Sequence, residues 1–494
     1  MNVSACTNDY IHLDDYRYEA RDVQYAVGLL VDEGFADSKR IGVTGESYGA
    51  GASLELATLK DRVMNPDGSL IPWKSPGGTP LQVAAAAIFA GWSDLVYALR
   101  PNGRTLDSQV TSTTADLSVA GVEKLSILSG LYAVGTESGS YALPGVNPQA
   151  DVTAWFADVT AGEPYGSPLD QTVVQQIAQF RSPYYLLAGA YGYAQEAPPP
   201  LFFANGFTDD VFPVDEVLRY YNLVRSLYPS NPIALFFADI GHQRANNKGA
   251  DDTLKSVRIQ AFFDHYVKGT GPQPTLGVTA LTQACPVSVP SGGPYYADTW
   301  MGLHPGVVNY SSQPAQTILS IGGNPTVSKA FDPVAGGLAC TTAPAGEEGP
   351  GVATYSLPTP TGSGYTLLGA PTVSANLTVT GVFAYVAARL LDVDPATNTE
   401  TLVARGVYRI DPNAPSGPQT FQLHPGAWHF AAGHIPTLEL LGQDTPYLRP
   451  ANGVFSIAVS NLQLQLPVLE IPGAPGTPSE VSQPNSGSTS SSSG

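Results

Sequence analysis

Three short segments carry residues that could do chemistry together. Gly45-Glu46-Ser47-Tyr48-Gly49 fits G-x-S-x-G, Asp209 lies in residues 205–213 (NGFTDDVFP), and His242 follows Gly241 in the run IGHQ. A serine hydroxyl is a weak nucleophile near neutral pH, so a base must take its proton and a carboxylate must orient that base. Serine, aspartate and histidine in this chain order match a scaffold that sets each group on a loop after a parallel strand. The chemistry implied is acyl transfer. Ser47 attacks a carbonyl, His242 carries the proton to the leaving group, Asp209 orients the imidazole, and the Tyr48 backbone N–H donates to the oxyanion.

The assignments follow from position. Of the seven histidines, His12 precedes the serine, His265 falls within an expected helix, and His304, His424, His429 and His434 fall in a β-rich region. Only His242 follows the last strand of the α/β pattern. Asp210 adjoins Asp209 and has nearly the same spacing. Asp209 is preferred, with Asp210 turned toward solvent or capping the next helix.

These loops need a scaffold of alternating strands and helices. Residues 16–33 read as a helix whose Val23, Ala26, Val27 and Leu30 share one face, with Gly34 as its stop. Residues 40–44 (RIGVT) read as a strand and 50–60 as a helix, so the serine occupies the sharp turn that G-x-S-x-G requires. Both glycines of the motif are expected to avoid collisions with the neighbouring strand or helix. Residues 83–89 read as a buried parallel strand, and strands at 200–204 and 233–238 with helices at 214–227 and 254–267 resume the pattern. The weaker signal between, with helical patches such as 173–180, reads as an inserted cap. Beyond Gly271 the period shifts to 2. Val373, Ala375, Leu377 and Val379 alternate with polar or small residues, as do Ala384, Val386, Ala388 and Leu390, and Leu462, Leu464 and Leu466. Short strands between Gly, Pro and Asn turns argue an antiparallel sandwich. The expected division is residues 1–91 and 200–271 for an α/β-hydrolase domain, 92–199 for a cap, 272–470 for a β-sandwich, and 471–494 for a disordered Pro/Gly/Ser tail.

With these segments in place, the chain resembles the Xaa-Pro dipeptidyl-peptidase and cocaine-esterase-like serine acyl hydrolases. The resemblance is carried by YEARDVQYAVGLLVDEG, IGVTGESYGAG, NGFTDDVFP, IGHQ and FFDHYVKG, then by LLGAPTVSANLTV and VAARLLDVDP. It implies ester or amide hydrolysis through an acyl-enzyme, no metal or other cofactor, a helical cap shaping an acyl pocket, and a C-terminal jelly roll. It places the triad on Ser47, Asp209 and His242 and offers Trp92 and Asp94 as pocket residues. In that family a tyrosine hydroxyl on a loop ahead of the nucleophile supplies a second oxyanion donor. Here one helix and no strand precede RIGVT, so the chain is expected to be N-terminally incomplete or completed by a separate chain. The elbow strand would then have one unpaired, hydrophobic edge.

Composition narrows the partners. The 494 residues include 23 basic and 42 acidic ones, a net charge of -19 that repels nucleic acid and anionic membrane, and no stretch has the eighteen or so apolar residues of a membrane helix. The expected partner is a small ester or peptide substrate. Charged residues make up 13%, with 51 Gly and 43 Pro, a balance common outside the cell. Cys285 and Cys340 could close a disulfide loop worth about 4 kcal/mol, leaving Cys6 single. An extracellular location is expected for the intact protein, although residues 1–9 show no signal peptide. Asp392-Val393-Asp394 reads as a hairpin turn, because Thr397 stands where a calcium loop needs glycine. No spacing suggests a zinc site or a phosphate loop. The competing reading is a non-catalytic carbohydrate- or surface-binding protein with an inert hydrolase remnant.

Overall fold

The computed structural model describes residues 10–113 and 120–484. Helix α1 (Glu19–Asp32) leads to strand β1 (Ile41–Glu46), helix α2 (Tyr48–Leu59), a small hairpin of β2 (Arg62–Met64) and β3 (Leu70–Pro72), and strand β4 (Val83–Phe89). Five helices follow: α3 (Leu95–Leu99), α4 (Leu125–Glu137), α5 (Val152–Ala161), α6 (Pro168–Arg181) and α7 (Pro183–Leu187). The sheet resumes with β5 (Leu201–Gly206), α8 (Val214–Leu227), β6 (Ile233–Ala238), α9 (Gly249–Tyr266), β7 (Gly277–Thr282) and β8 (Gly292–Ala297). The strand order is β1-β4-β5-β6-β7-β8, parallel up to β7 and antiparallel at the last pair. Every residue of β5 and β6 is buried, which is why LFFA and IALFFA are continuous apolar runs.

The sheet therefore takes two strands from beyond Gly271. Strand β7 pairs in parallel with β6, Leu235 opposite Val278, so the α/β layer continues past the expected boundary. Among the described residues β1 is an edge strand, and its exposed positions are Gly42, Thr44 and Glu46 rather than apolar side chains.

Helix α1 forms where expected but faces the other way. Its buried residues are Ala20, Gln24 and Gly28, while Val23 and Leu30 are exposed. The reason is local. The Gln24 carbonyl accepts from Trp73 Nε1, and its amide donates to the Arg62 carbonyl, so the small and polar face seats on the β2–β3 hairpin.

The cap helices meet through Leu128, Trp155, Val159 and Val173. Asp151 caps α5 through Ala154 N–H, and Ser167 caps α6 with Pro168 in its first turn.

The remaining chain forms two antiparallel sheets. The strands are β9 (Gly306–Ser312), β10 (Gln316–Leu319), β11 (Thr342–Pro344), β12 (Ala353–Ser356), β13 (Tyr365–Gly369), β14 (Thr372–Gly381) and β15 (Tyr385–Asp394). They continue with β16 (Thr399–Arg409), β17 (Gly417–Gln422), β18 (Gly426–Phe430), β19 (Ile435–Leu441), β20 (Phe455–Val468) and β21 (Val481–Ser482); helix α10 (Pro325–Ala330) lies between β10 and β11. One sheet runs β17-β14-β20-β13-β18 with β9, β10 and β21 attached, the other β11-β16-β15-β19-β12. Their facing side chains, such as Val373, Leu377, Val386, Leu390 and Leu464, share one core.

Strand β15 departs from simple alternation. Its first eight residues are all buried, because Tyr385 and Ala387 on the second face pack with Trp92, Leu95 and Phe212 of the hydrolase part. Residues 392–399 form the expected hairpin between β15 and β16. The tail differs as well. Val481 is buried and pairs with Val308, so residues 471–484 are tied to the sandwich. The rest of the expected disordered tail, and Cys6, lie outside the described residues.

Candidate active site

The carboxyl ends of β1, β5 and β6 each launch one loop of the site, the edge where open parallel sheets place ligands. Ser47 follows β1 and precedes α2 with φ 54° and ψ -116°, a strained conformation for a side-chain-bearing residue. Its N–H donates to the Phe89 carbonyl at 3.1 Å, prolonging the β1–β4 ladder into the turn. A Cβ at Gly45 would collide with the Gly49 carbonyl, whereas nothing lies within 4 Å of the corresponding position at Gly49. Only the first glycine of the motif is therefore sterically required.

The three expected residues converge. His242 Nε2 lies 2.7 Å from Ser47 Oγ, and His242 Nδ1 lies 2.8 Å from Asp209 Oδ2. Asp209 is fully enclosed. Its Oδ1 accepts from Val211 and Phe212 N–H at 2.9 and 3.0 Å, and its Oδ2 also accepts from His242 N–H at 3.1 Å. Burial works to lower the His242 pKa, but the Asp209 charge and hydrogen bond outweigh it, so the net displacement is upward. Phe212 stands edge-on to the imidazole at 5.4 Å and leans on Trp92 at 4.9 Å. Tyr48 opens α2, so its N–H belongs to the first turn, where helix N–H groups have no carbonyl within the helix.

Asp210 is not turned to solvent and caps nothing. It is buried and ion-paired with Arg244 (Nε 2.8 Å, Nη2 3.0 Å) and with Arg405 Nη1 at 3.1 Å. Burial alone would raise its pKa; the two guanidiniums bring it below the ordinary carboxylate range. Lys124 Nζ donates to the Asp210 and Val211 carbonyls at 2.9 and 3.2 Å, which ties the loop before α4 to the acid loop. Arg244 lies two residues past His242. Its carbonyl accepts from Ala339 N–H at 2.7 Å, next to the disulfide Cys285–Cys340.

Ser47 and Tyr48 border a cavity of about 350 Å³ that runs under α4, α5 and α6. Trp92, Leu128, Trp155, Phe156, Val173 and Phe212 are among its walls. Trp92 is thus brought to the site, its Nε1 donating to the Arg181 carbonyl at 2.9 Å. Asp94 is not. It is fully buried, caps α3 by accepting from Val96 and Tyr97 N–H, and burial, only partly offset by Arg219, pushes its pKa up to about 7. The short loop after β4 turns one residue toward the cavity and the other into the protein.

Sequence reasoning missed the Asp210–Arg244–Arg405 cluster, Lys124 and the cap walls. Arg244 stood beside the histidine in GHQR and could have been weighed against the spare aspartate. Arg405 gave no local signal.

No family model matches the chain, and no curated protein matches it. Among solved structures it is similar to an aminopeptidase from the marine sediment archaeon Thaumarchaeota archaeon, with TM-score 0.60 and 12% identity over 92% of this chain and 80% of that one. It is similar to an α-amino acid ester hydrolase, with TM-score 0.53 and 13% identity over 92% and 80%. A CocE/NonD family hydrolase from Staphylococcus aureus gives TM-score 0.55 and 12% identity over 93% and 78%. At such identities the likeness establishes the fold. The chain has the α/β-plus-β architecture of these hydrolases, as its motifs implied.

Proposed function

We propose that the chain is a serine hydrolase cleaving acyl esters or amides through an acyl-enzyme on Ser47. The observation that carries this is the unbroken relay Ser47 Oγ, His242 Nε2, His242 Nδ1, Asp209 Oδ2, with contacts of 2.7 and 2.8 Å. His242 takes the Ser47 proton as Oγ bonds to the carbonyl carbon, then delivers it to the departing alcohol or amine. Water repeats the sequence to free the acid. Asp209 holds Nδ1–H and so orients the imidazole, and the Tyr48 N–H donates to the oxyanion. Hydrolase neighbours of the same fold support this class of chemistry.

An ester or peptide of small size is the proposed substrate, with esters favoured because no carboxylate is assigned to hold a substrate amine. An extracellular setting accords with the Cys285–Cys340 disulfide.

The test is a fluorophosphonate probe. Labelling of the wild type that is absent in Ser47→Ala supports the nucleophile; a folded wild type that never labels removes it. A p-nitrophenyl ester and an Xaa-Pro anilide, assayed side by side, then separate esterase from peptidase.

A further inference from the structure

Resting on Ser47 as the nucleophile and on an acyl pocket under the cap, we propose that this cavity selects uncharged, extended apolar acyl groups and rejects acyl groups bearing an α-ammonium. Three observations carry this.

The first is which triad members the cavity touches. Ser47 and Tyr48 line it and His242 does not. The leaving-group oxygen must face His242 Nε2 to receive its proton, so the alcohol departs on the histidine side. The part that stays bonded to Oγ is left facing the cavity. In the step itself the Oγ–acyl bond forms as the acyl–alcohol bond breaks, and the Ser47 proton leaves with the alcohol.

The second is the chemistry of the walls. Among the described residues that line the cavity, Arg100 is the sole ionised side chain. It is occupied by Asp170 at 3.1 and 3.2 Å and by the Tyr165 ring at 4.5 Å. None of the described residues lining the cavity carries a carboxylate. The nearby acids Asp14 and Glu55 lie buried at α2 behind Tyr48 and Trp92 and do not line the cavity; their carboxyl oxygens have no hydrogen-bond partner, and burial first, then neighbouring acids, drives both toward the neutral form. A substrate ammonium would be stripped of water here without a counter-charge.

The third is extent. The cavity reaches from Ser47 to Val159 and Val173 in the cap core, and it opens beside Leu131 and Val134, which are 46% and 67% exposed. This is space for a chain rather than for an acetyl group alone.

The experiment compares kcat/KM for p-nitrophenyl acetate, butyrate, octanoate and 2-aminooctanoate, beside fluorophosphonate labelling of Ser47. Each buried CH₂ is expected to raise kcat/KM about fourfold, so octanoate should exceed butyrate by about two orders of magnitude. The 2-amino ester should fall at least about a hundredfold below octanoate. Val173→Trp should shorten the preferred chain. If Ser47 labels but acetate and octanoate are hydrolysed alike, or the 2-amino ester is preferred, the acyl site is overturned and the nucleophile stands. A preference that tracks the alcohol of acetate esters instead would overturn it too. Absence of labelling in folded protein overturns the nucleophile, and the acyl site with it.

Discussion

Arg405 Nη1 lies 3.1 Å from Asp210 Oδ2, joining a strand of the β-sandwich to the loop that carries Asp209 across 195 positions of sequence. Arg244, on the histidine loop, holds the same carboxylate. Both the acid loop and the base loop therefore converge on one buried charge that the sandwich helps to neutralise. Beyond Arg405 the chain of charges continues to Asp444 and Arg389, with Arg389 paired to Asp444 at 2.5 Å and also to Glu348.

Arg405→Met is expected to destabilise the protein by about 1–3 kcal/mol, less than the cost of a wholly uncompensated buried charge, because Asp210 keeps Arg244 and Asp444 keeps Arg389. Denaturant titration would measure it. Asp210→Asn combined with Arg405→Met should cost less than the sum of the two single changes, because each removes part of the charge imbalance the other creates. Strict additivity would show that the pair is not coupled.

Ser47→Gly should separate stability from activity. Hydrolysis should fall by about six orders of magnitude, as when a nucleophile is removed from a working triad. Meanwhile, relief of the φ 54° conformation should stabilise the fold by about 1 kcal/mol net of the entropy glycine adds to the unfolded chain. A raised denaturation midpoint with no turnover is the expected pair of results.

The pH profile follows from His242. Only the neutral imidazole can accept the Ser47 proton, so kcat/KM should be lost as pH falls through the His242 pKa. Asp209 holds that value above the ordinary imidazole range despite burial. The acid limb should therefore lie above about pH 6.5. In Asp209→Asn the raising charge is gone while burial remains, so the limb should move to lower pH and the rate fall by about 10⁴. An acid limb that stays put would mean another group controls it.

Replacing Cys285 and Cys340 with serine should cost about 4 kcal/mol on the loop-entropy account for a separation of 55 residues. The loss should be felt at the base. Ala339 N–H bonds the Arg244 carbonyl, and Asn246 Nδ2 reaches Cys340 Sγ at 3.4 Å. Faster hydrogen exchange at residues 242–247 in the double variant is the check.

The candidate triad was legible because its signals are local. A strand, a sharp turn and a helix around Ser47, and two loops following apolar runs, declare themselves within a dozen residues each. What pairs with what at long range was not legible. The spare acid Asp210 looked surface-bound because its neutralising Arg405 sits in a strand whose own sequence speaks only of alternation. Likewise Val23 and Leu30 defined a face of α1, but periodicity does not say what covers a face; Gln24 and its two hydrogen bonds decided it. The buried first eight residues of β15 reflect a second packing partner, Trp92 with Phe212, which no strand pattern encodes.

The position of β7 bears on how the molecule is made. The second parallel neighbour of β6 is delivered only from Gly277 onward, and the second counter-charge for Asp210 only at Arg405. At about 5–20 residues per second, a ribosome that has finished the serine elbow needs about 20–70 s more to supply that arginine. For the first part of this interval the nascent hydrolase half lacks strands of its sheet, and throughout it the Asp210 charge can be held from one side only. Synthesis order thus makes the β-sandwich the last participant in maturation of the candidate catalytic centre, and a release or pause before it would leave a chain whose serine elbow is made and whose acid and base loops lack their ties to the sandwich.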